Sequence, residues 1–492
     1  MIKISDNFKT DDKKLAALYN SARAALCGSL ESFGDFDLMC RSSTSKKVSL
    51  ATEVMSAETY ARYDVATAMN TIKAFAMTQR EDGQLACEIV KNGEDILCDY
   101  SGLSAFSFID EAMSLYFMTK RKERAYLDTV YGMLTRFDEY LKSTHDYNKN
   151  GLPELLSDKE TVERGASHRY APLVVNEGGS LREISVFPIE SYLLAAFTYK
   201  LKIALGWISS MVGDDRDGIY FDEAEIIKAR LKNFYWVEEQ GACFDRDYRG
   251  SLMKTLAIDN LFMMYYDALD IPAANAFLNK HLFNPHEFYT PFPLPTYPVN
   301  SPDFANDSAV SFGGQPRGET FRRAIRAFEK YGYYRELTHI GKKFLSAVGE
   351  SLAFTEQYDP FTGAPSRSNV CADYAPTASA VLEFIARFYG ITVIYDQMHW
   401  GAMGHEGEET SEYNFKWGGD LFTLAAEKET SMGLVNGSPI FTITNGVRVI
   451  TDWYGDKPRV VNITDETMDC VFVYRNQTFS FSIAPGETKE FS

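Results

Sequence analysis

Apolar positions recur at three- and four-residue spacings along most of the chain, the mark of helices with one buried face. In Asp11–Cys27, Leu15, Leu18, Tyr19 and Ala22 share such a face. The same period predicts helices over Ser56–Thr78, Leu103–Thr119, Glu123–Lys142, Ile189–Leu205 and Asp222–Tyr235. It continues over Thr255–Leu269, Ala273–Leu282, Glu319–Lys330, Tyr334–Leu352 and Pro376–Phe388. Phe33–Lys47 reads as irregular, and the glycine of Gln79–Leu85 stops the long helix before it. Near Thr392 the period changes to two. FTITNGVRVITDWYG, RVVNITD and CVFVYRNQTFSFSIAPG alternate, with Asn-Gly, Gly-Asp, Arg-Asn and Pro-Gly turns. The pattern predicts a mainly α unit over residues 1–391 and a small β-sandwich over residues 392–492. No low-complexity linker separates them, which predicts close packing. About a dozen helices joined in pairs suits hairpins arranged in a ring, with loops at one end framing a pocket.

Between two apolar helices lies Phe354–Gly363, FTEQYDPFTG. Pro360 and Gly363 fix a turn that continues neither helix. Its one glutamate, Glu356, suits a catalytic carboxylate on a loop held by rigid elements, or a carboxylate that merely solvates a helix connection. The 492 residues carry a formal charge of −18, which argues against nucleic acid and anionic membrane as partners. Aromatic residues make up 14%, enough to supply stacking faces for sugars beyond the core. Seven scattered cysteines without a CxxC fit neither a zinc site nor a disulfide framework, and point to a reducing compartment. The N-terminal stretch has no apolar signal region and no run is long enough to span a membrane, so a cytoplasmic location is expected.

Asp146, Asn148, Asn150 and Glu154 alternate around Gly151, the first half of a calcium-loop pattern. Ser157 stands where the twelfth-position glutamate would be, so this is no EF-hand, and Asx turns explain the same residues. The seven histidines show no H-x-x-x-H spacing.

Five segments taken in order resemble the six-hairpin glycosidases, the (α/α)6 toroids, and within them the glycoside hydrolase family 63 and mannosylglycerate-hydrolase-like group. They are Gln79–Leu85, His145–Glu154, Asn284–Pro298, Phe312–Tyr333 and the Phe354 loop through Ser366. The resemblance implies an (α/α)6 toroid with a C-terminal β-sandwich. It also implies an inverting hydrolase of a small α-linked disaccharide or oligosaccharide, with no required cofactor and at most a structural calcium at Asp146–Glu154. The family base, in E-x-Y-x-P-x-T-G, falls on Glu356, with Tyr358, Pro360, Thr362 and Gly363 in place. The family acid, in E-S-G-x-D, falls on Ser167, whose hydroxyl cannot protonate a glycosidic oxygen at neutral pH. Glu163 keeps the local frame and is the first substitute, followed by Glu177 and Glu183. Substrate binding is implied for Asp64, with Tyr60 and Tyr63 beside it, for Gln315 and Arg317 after Phe312, and for Tyr358. Three other readings stay open. One is a structural or partner-binding role for the C-terminal β-module. Another is a carbohydrate-binding pseudoenzyme, favoured by Ser167. The third is a sugar epimerase or isomerase on the same ring, which would need a pair of pocket histidines.

Overall fold

The computed structural model describes residues 2–103, 108–157, 160, 174–176, 184–307, 313–366 and 372–491. Among them are twelve α-helices: α1 (Lys13–Gly28), α2 (Glu53–Tyr60), α3 (Val65–Met77), α4 (Ile109–Met118), α5 (Arg124–Thr144), α6 (Tyr192–Val212), α7 (Asp217–Arg230), α8 (Asp259–Tyr265), α9 (Ile271–Phe277), α10 (Gly318–Lys330), α11 (Tyr334–Ser351) and α12 (Ala375–Tyr389). Their burial alternates. Every residue of α8 is buried, and every residue of α12 except Tyr389. By contrast α1 buries only Leu15, Leu18, Tyr19, Ala22 and Leu26. α11 likewise hides one stripe, from Leu337 to Val348. A helix wet on one side belongs to an outer layer, and one apolar all round needs neighbours on every side. The even-numbered helices therefore form the interior and the odd-numbered ones cover them.

The expected single helix Ser56–Thr78 is two, α2 and α3. The break is set by Asp64, whose carboxylate accepts from the amides of Ala66 at 2.9 Å and Thr67 at 3.4 Å and so starts a new helix. Helical periodicity ran across this break because both halves bury apolar side chains. The stretch expected to be irregular contains a hairpin, Leu30–Phe33 with Phe36–Met39.

The strand-rich C-terminal region is two packed sheets. One has seven strands, in the order Ile4–Thr10, Ser411–Trp417, Asp420–Ala426, Thr430–Val435, Ser438–Thr444, Met468–Tyr474 and Gln477–Ile483. The other has five, in the order Ile391–Ile394, Gln397–Ala402, Val447–Asp452, Arg459–Asn462 and Thr488–Glu490. Trp400 of the smaller sheet packs edge-on against Phe441 of the larger, ring centres 5.4 Å apart. The N-terminal strand Ile4–Thr10 lies antiparallel to Ser411–Trp417, so the helical unit does not begin at residue 1. Its alternation is too short to stand out from the helix that follows. The two units meet through specific contacts. The Trp417 indole donates to the Met118 carbonyl at 2.7 Å, and Arg448 donates to Glu329 at 2.8 Å.

Candidate active site

The Phe354 loop is tied on three sides. The Phe354 amide donates to Ala372 O and the Tyr374 amide to Phe354 O, joining the loop to the start of α12. Asp359 accepts from the amides of Phe361 and Thr362, closing the turn that Pro360 begins. Residues 316–318 run antiparallel beside it: the Tyr358 amide donates to Pro316 O and the Gly318 amide to Glu356 O, each at 3.1 Å. Gly318 is required there, because a Cβ would stand 1.6 Å from Thr377 Oγ1 of α12. Glu356 is thereby fixed at the N-terminal ends of α10 and α12.

Its carboxylate meets the Arg317 guanidinium, which also donates to Glu319 through Nε at 2.5 Å. Arg317 is buried, and the Glu356 side chain keeps 24% of its exposure. The Arg317 charge holds the Glu356 carboxyl below its ordinary range; burial opposes this and Arg41 adds to it. Arg41 in turn contacts Glu53 of α2 at 3.4 Å and Glu88 at 3.2 Å. The arrangement keeps one partly exposed carboxylate anionic at neutral pH on a rigid loop, which is what a general base requires. Glu53, Glu88 and Glu319 each sit against an arginine.

Glu356 and Arg317 are in direct contact, and Gln315 joins them through a relay. Its side-chain amide donates to Asn306 Oδ1 at 3.0 Å, and Asn306 donates to Asp359 of the base loop at 2.8 Å. The Gln315 side-chain oxygen Oε1 is buried without a hydrogen-bond partner among the described residues. Tyr358 takes a different place from the expected one. It is fully buried, stacks on Phe292 at 4.7 Å and spends its hydroxyl on Ala353 O at 2.7 Å, so it supports the loop from below. Asp64 is also displaced: it lies beyond the far end of α2 from Glu53 and caps α3. Tyr60 and Tyr63 pack on each other at 5.8 Å, with Arg23 over the Tyr63 ring, and neither meets Glu356. The Glu356 carboxylate therefore faces arginines and neither Asp64 nor a tyrosine from that segment. Glu163, Ser167, Glu177, Glu183 and Phe312 lie outside the described residues.

Asp146, Asn148, Asn150 and Glu154 do share one loop. Asp146 accepts from the Gly151 amide, and Glu154 accepts from the amides of Tyr147 and Asn148. Asn148 and Asn150 both donate to Glu190 Oε1, at 2.6 and 2.8 Å, while Glu190 Oε2 is buried and unpartnered among the described residues. The loop carboxylates are thus taken by the loop's own amides, and no group of three or more His, Cys, Asp or Glu placed to hold a metal ion occurs among the described residues.

Arg41, Glu319 and Tyr374 complete the site unforeseen. Glu319 stands two residues from Arg317 and was legible in the Arg-Gly-Glu run. Arg41 lies far back in the chain with no local pattern to mark it. It arrives because its carbonyl accepts the Ala375 amide at 2.8 Å.

A family model for the mannosylglycerate hydrolase MGH1-like glycoside hydrolase domain matches residues 53–374. The chain belongs to this glycoside hydrolase family. Its members' catalytic unit thus corresponds to the span from α2 to the start of α12, which contains Glu356 and Arg317. Among solved structures, this MGH1-like glycosidase is similar to the GH63 mannosylglycerate hydrolase from Thermus thermophilus in complex with glucose. The TM-score is 0.62 at 14% identity, over 75% of this chain and 100% of that one. It is also similar to a protein titled sialidase, with TM-score 0.68 at 12% identity over 91% of this chain and 41% of that one. The α-L-rhamnosidase of Dictyoglumus thermophilum follows at TM-score 0.57 and 13% identity, over 99% and 50%. At these identities the likeness is one of fold. No curated protein matches the chain.

Proposed function

We propose that this glycosidase hydrolyses a small α-linked disaccharide or oligosaccharide with inversion, using Glu356 as general base. The observation that supports the reading best is the Arg317–Glu356 contact, which keeps the carboxylate ionised where water can reach it. Alternating burial of the twelve helices supports an (α/α)6 toroid, with Glu356 at the N-terminal ends of the inner helices α10 and α12. An inverting pair stands roughly 6.5–9.5 Å apart to admit the attacking water. We assign the acid to the 158–183 stretch, to Glu163 first. Gln315, whose side-chain Oε1 has no partner among the described residues, would accept a sugar hydroxyl. Solved relatives are titled as mannosylglycerate hydrolase with glucose and with D-glycerate, which makes glycosyl-glycerates a first substrate class to assay. Cys27, Cys40, Cys98, Cys243 and Cys470 are free thiols, which accords with the cytoplasm.

Substituting Glu356→Gln keeps the shape and removes the base. Against a panel of α-linked disaccharides and glycosyl-glycerates it should lower the rate by about 10²–10⁴ while circular dichroism stays native. NMR of the first product should show the inverted anomer. Equal rates in wild type and variant would remove Glu356 from the mechanism. Sugar binding without hydrolysis in either would favour a pseudoenzyme, the reading that Ser167 at the acid position supports. The loop Asp146–Glu154 with Glu190 is proposed to hold a structural calcium. Chelation should then lower the melting temperature and added calcium restore it, and no shift would leave these residues as turn chemistry.

A further inference from the structure

The C-terminal halves of α2, α10 and α12 end beneath the hairpin Ile391–Ile394/Gln397–Ala402, and a cavity of about 210 Å³ lies between them. It is at the opposite end of α10 and α12 from Glu356 and takes no part in the site described above. Its walls carry Glu58, Arg326, Glu329, Lys330, Glu383 and Arg387. Each carboxylate here is already held by two cations. Glu58 meets Arg322 and Arg326, both at 2.6 Å. Glu329 meets Arg387 at 3.0 Å and Arg448 at 2.8 Å. Glu383 meets Arg62 at 3.1 Å and also Arg387. Asp110, just behind Lys330, meets Lys200 at 2.9 Å and Lys330 at 2.6 Å. Arg326 also meets Glu111 at 2.9 Å, and burial pushes the Lys330 ammonium down to about 7, so the guanidinium and ammonium groups outnumber the carboxylates only slightly. Asp6, behind Arg62, adds a further carboxyl, raised by burial and lowered by the Arg62 charge.

His399 lines the same cavity and is 3% exposed. Its Nε2 faces Gln397 Oε1 at 3.3 Å, and its Nδ1 has no hydrogen-bond partner among the described residues. Burial pushes the imidazole down to about 3; Glu329 opposes this, and Arg448, Arg387 and Arg459 reinforce it. With each carboxylate held by two cations, the charged part of the wall keeps a small excess of cationic groups and disfavours a further cation. Its volume equals that of about seven waters at roughly 30 Å³ each, room for a polyatomic anion with some hydration. Guanidinium forks match tetrahedral oxygens in geometry as well as charge.

We propose that this cavity binds one small inorganic oxyanion of the phosphate type, held by His399, Lys330 and the guanidiniums of Arg326 and Arg387. The anion would join the helical interior to the β-sandwich, since His399 belongs to one and the cations to the other. Calorimetric titration of the full chain with inorganic phosphate, and separately with sulfate, should reveal one saturable site per chain. The melting temperature should rise as that site fills. His399→Leu and Gln397→Glu, the second adding a negative charge to the wall, should each weaken binding about tenfold or more with native circular dichroism. Glu356→Gln should leave it unchanged, which separates this site from the arginines of the active site. Absence of a saturable site, undiminished affinity in both cavity variants, or loss of binding in Glu356→Gln would overturn the proposal.

Discussion

Arg317 decides the chemistry of Glu356, because one guanidinium spans two carboxylates, Glu319 and Glu356. A lysine at this position keeps the charge but has no planar fork to reach both. Arg317→Lys should therefore leave the fold intact and weaken the hold on Glu356. The sign follows from the present direction. The Glu356 carboxyl is held low, so the proposed base stays ionised to lower pH than an ordinary glutamate. In the variant the acid limb of the kcat/KM profile should move to higher pH, with a lower plateau. An unmoved limb would mean that Arg317 does not tune the base. Glu356 was legible because its loop is short and its neighbours Tyr358, Pro360 and Gly363 are sequence-local. Arg41 was not, since only the folded chain carries it to α12. Tyr358 shows the converse. A residue type that suits a sugar pocket also suits a core, and burial against Phe292 is settled by tertiary packing alone.

Among the elements, α3 shows how a single polar residue can be misread. Asp64 precedes Val65-Ala66-Thr67, a helix start with its cap in place, but the unbroken apolar period around it suggests one continuous helix. A carboxylate that caps an outer helix contributes stability and not substrate binding. Asp64→Ala should cost about 0.5–2 kcal/mol in urea unfolding. Its kcat/KM should equal that of wild type. A large loss of activity at full stability would return Asp64 to the substrate site. Elsewhere the helices were legible wherever one face is apolar, as in α1, α5 and α11, with ends shifted by a few residues. The interior helix α8 is much shorter than the apolar run that holds it, because burial on all sides removes the polar face that would mark its ends.

On the scale of the whole molecule, the helical unit and the sandwich share a buried charge cluster at Glu329, Arg387 and Arg448. Burial alone would raise Glu329, but the two arginines override it and hold it down to about 2. A carboxyl depressed on folding contributes stability that is complete above its unfolded value near 4.5 and is lost as pH falls towards 2. Acid unfolding should accordingly be one transition in that window, with helical dichroism and tryptophan fluorescence changing together. Two separate transitions would show that the units are not coupled through this cluster. That coupling was invisible in the sequence, where Glu329 and Arg448 are 119 positions apart and each reads as an ordinary surface charge.

The strand Ile4–Thr10 has a further consequence, which concerns time. Its partner Ser411–Trp417 stands some four hundred residues later, as the hydrogen bond from Thr10 to Thr410 shows. On a ribosome adding about 5–20 residues per second, the first strand made must wait tens of seconds for the edge it will complete. Until then it carries unpaired amides and carbonyls past every helix of the interior. Loop closure over such a length adds only slowly to the entropic cost, so the delay bears on the route of folding far more than on its end point. The pairing can form only after residue 417 has been made, with the later strands of the same sheet still to come.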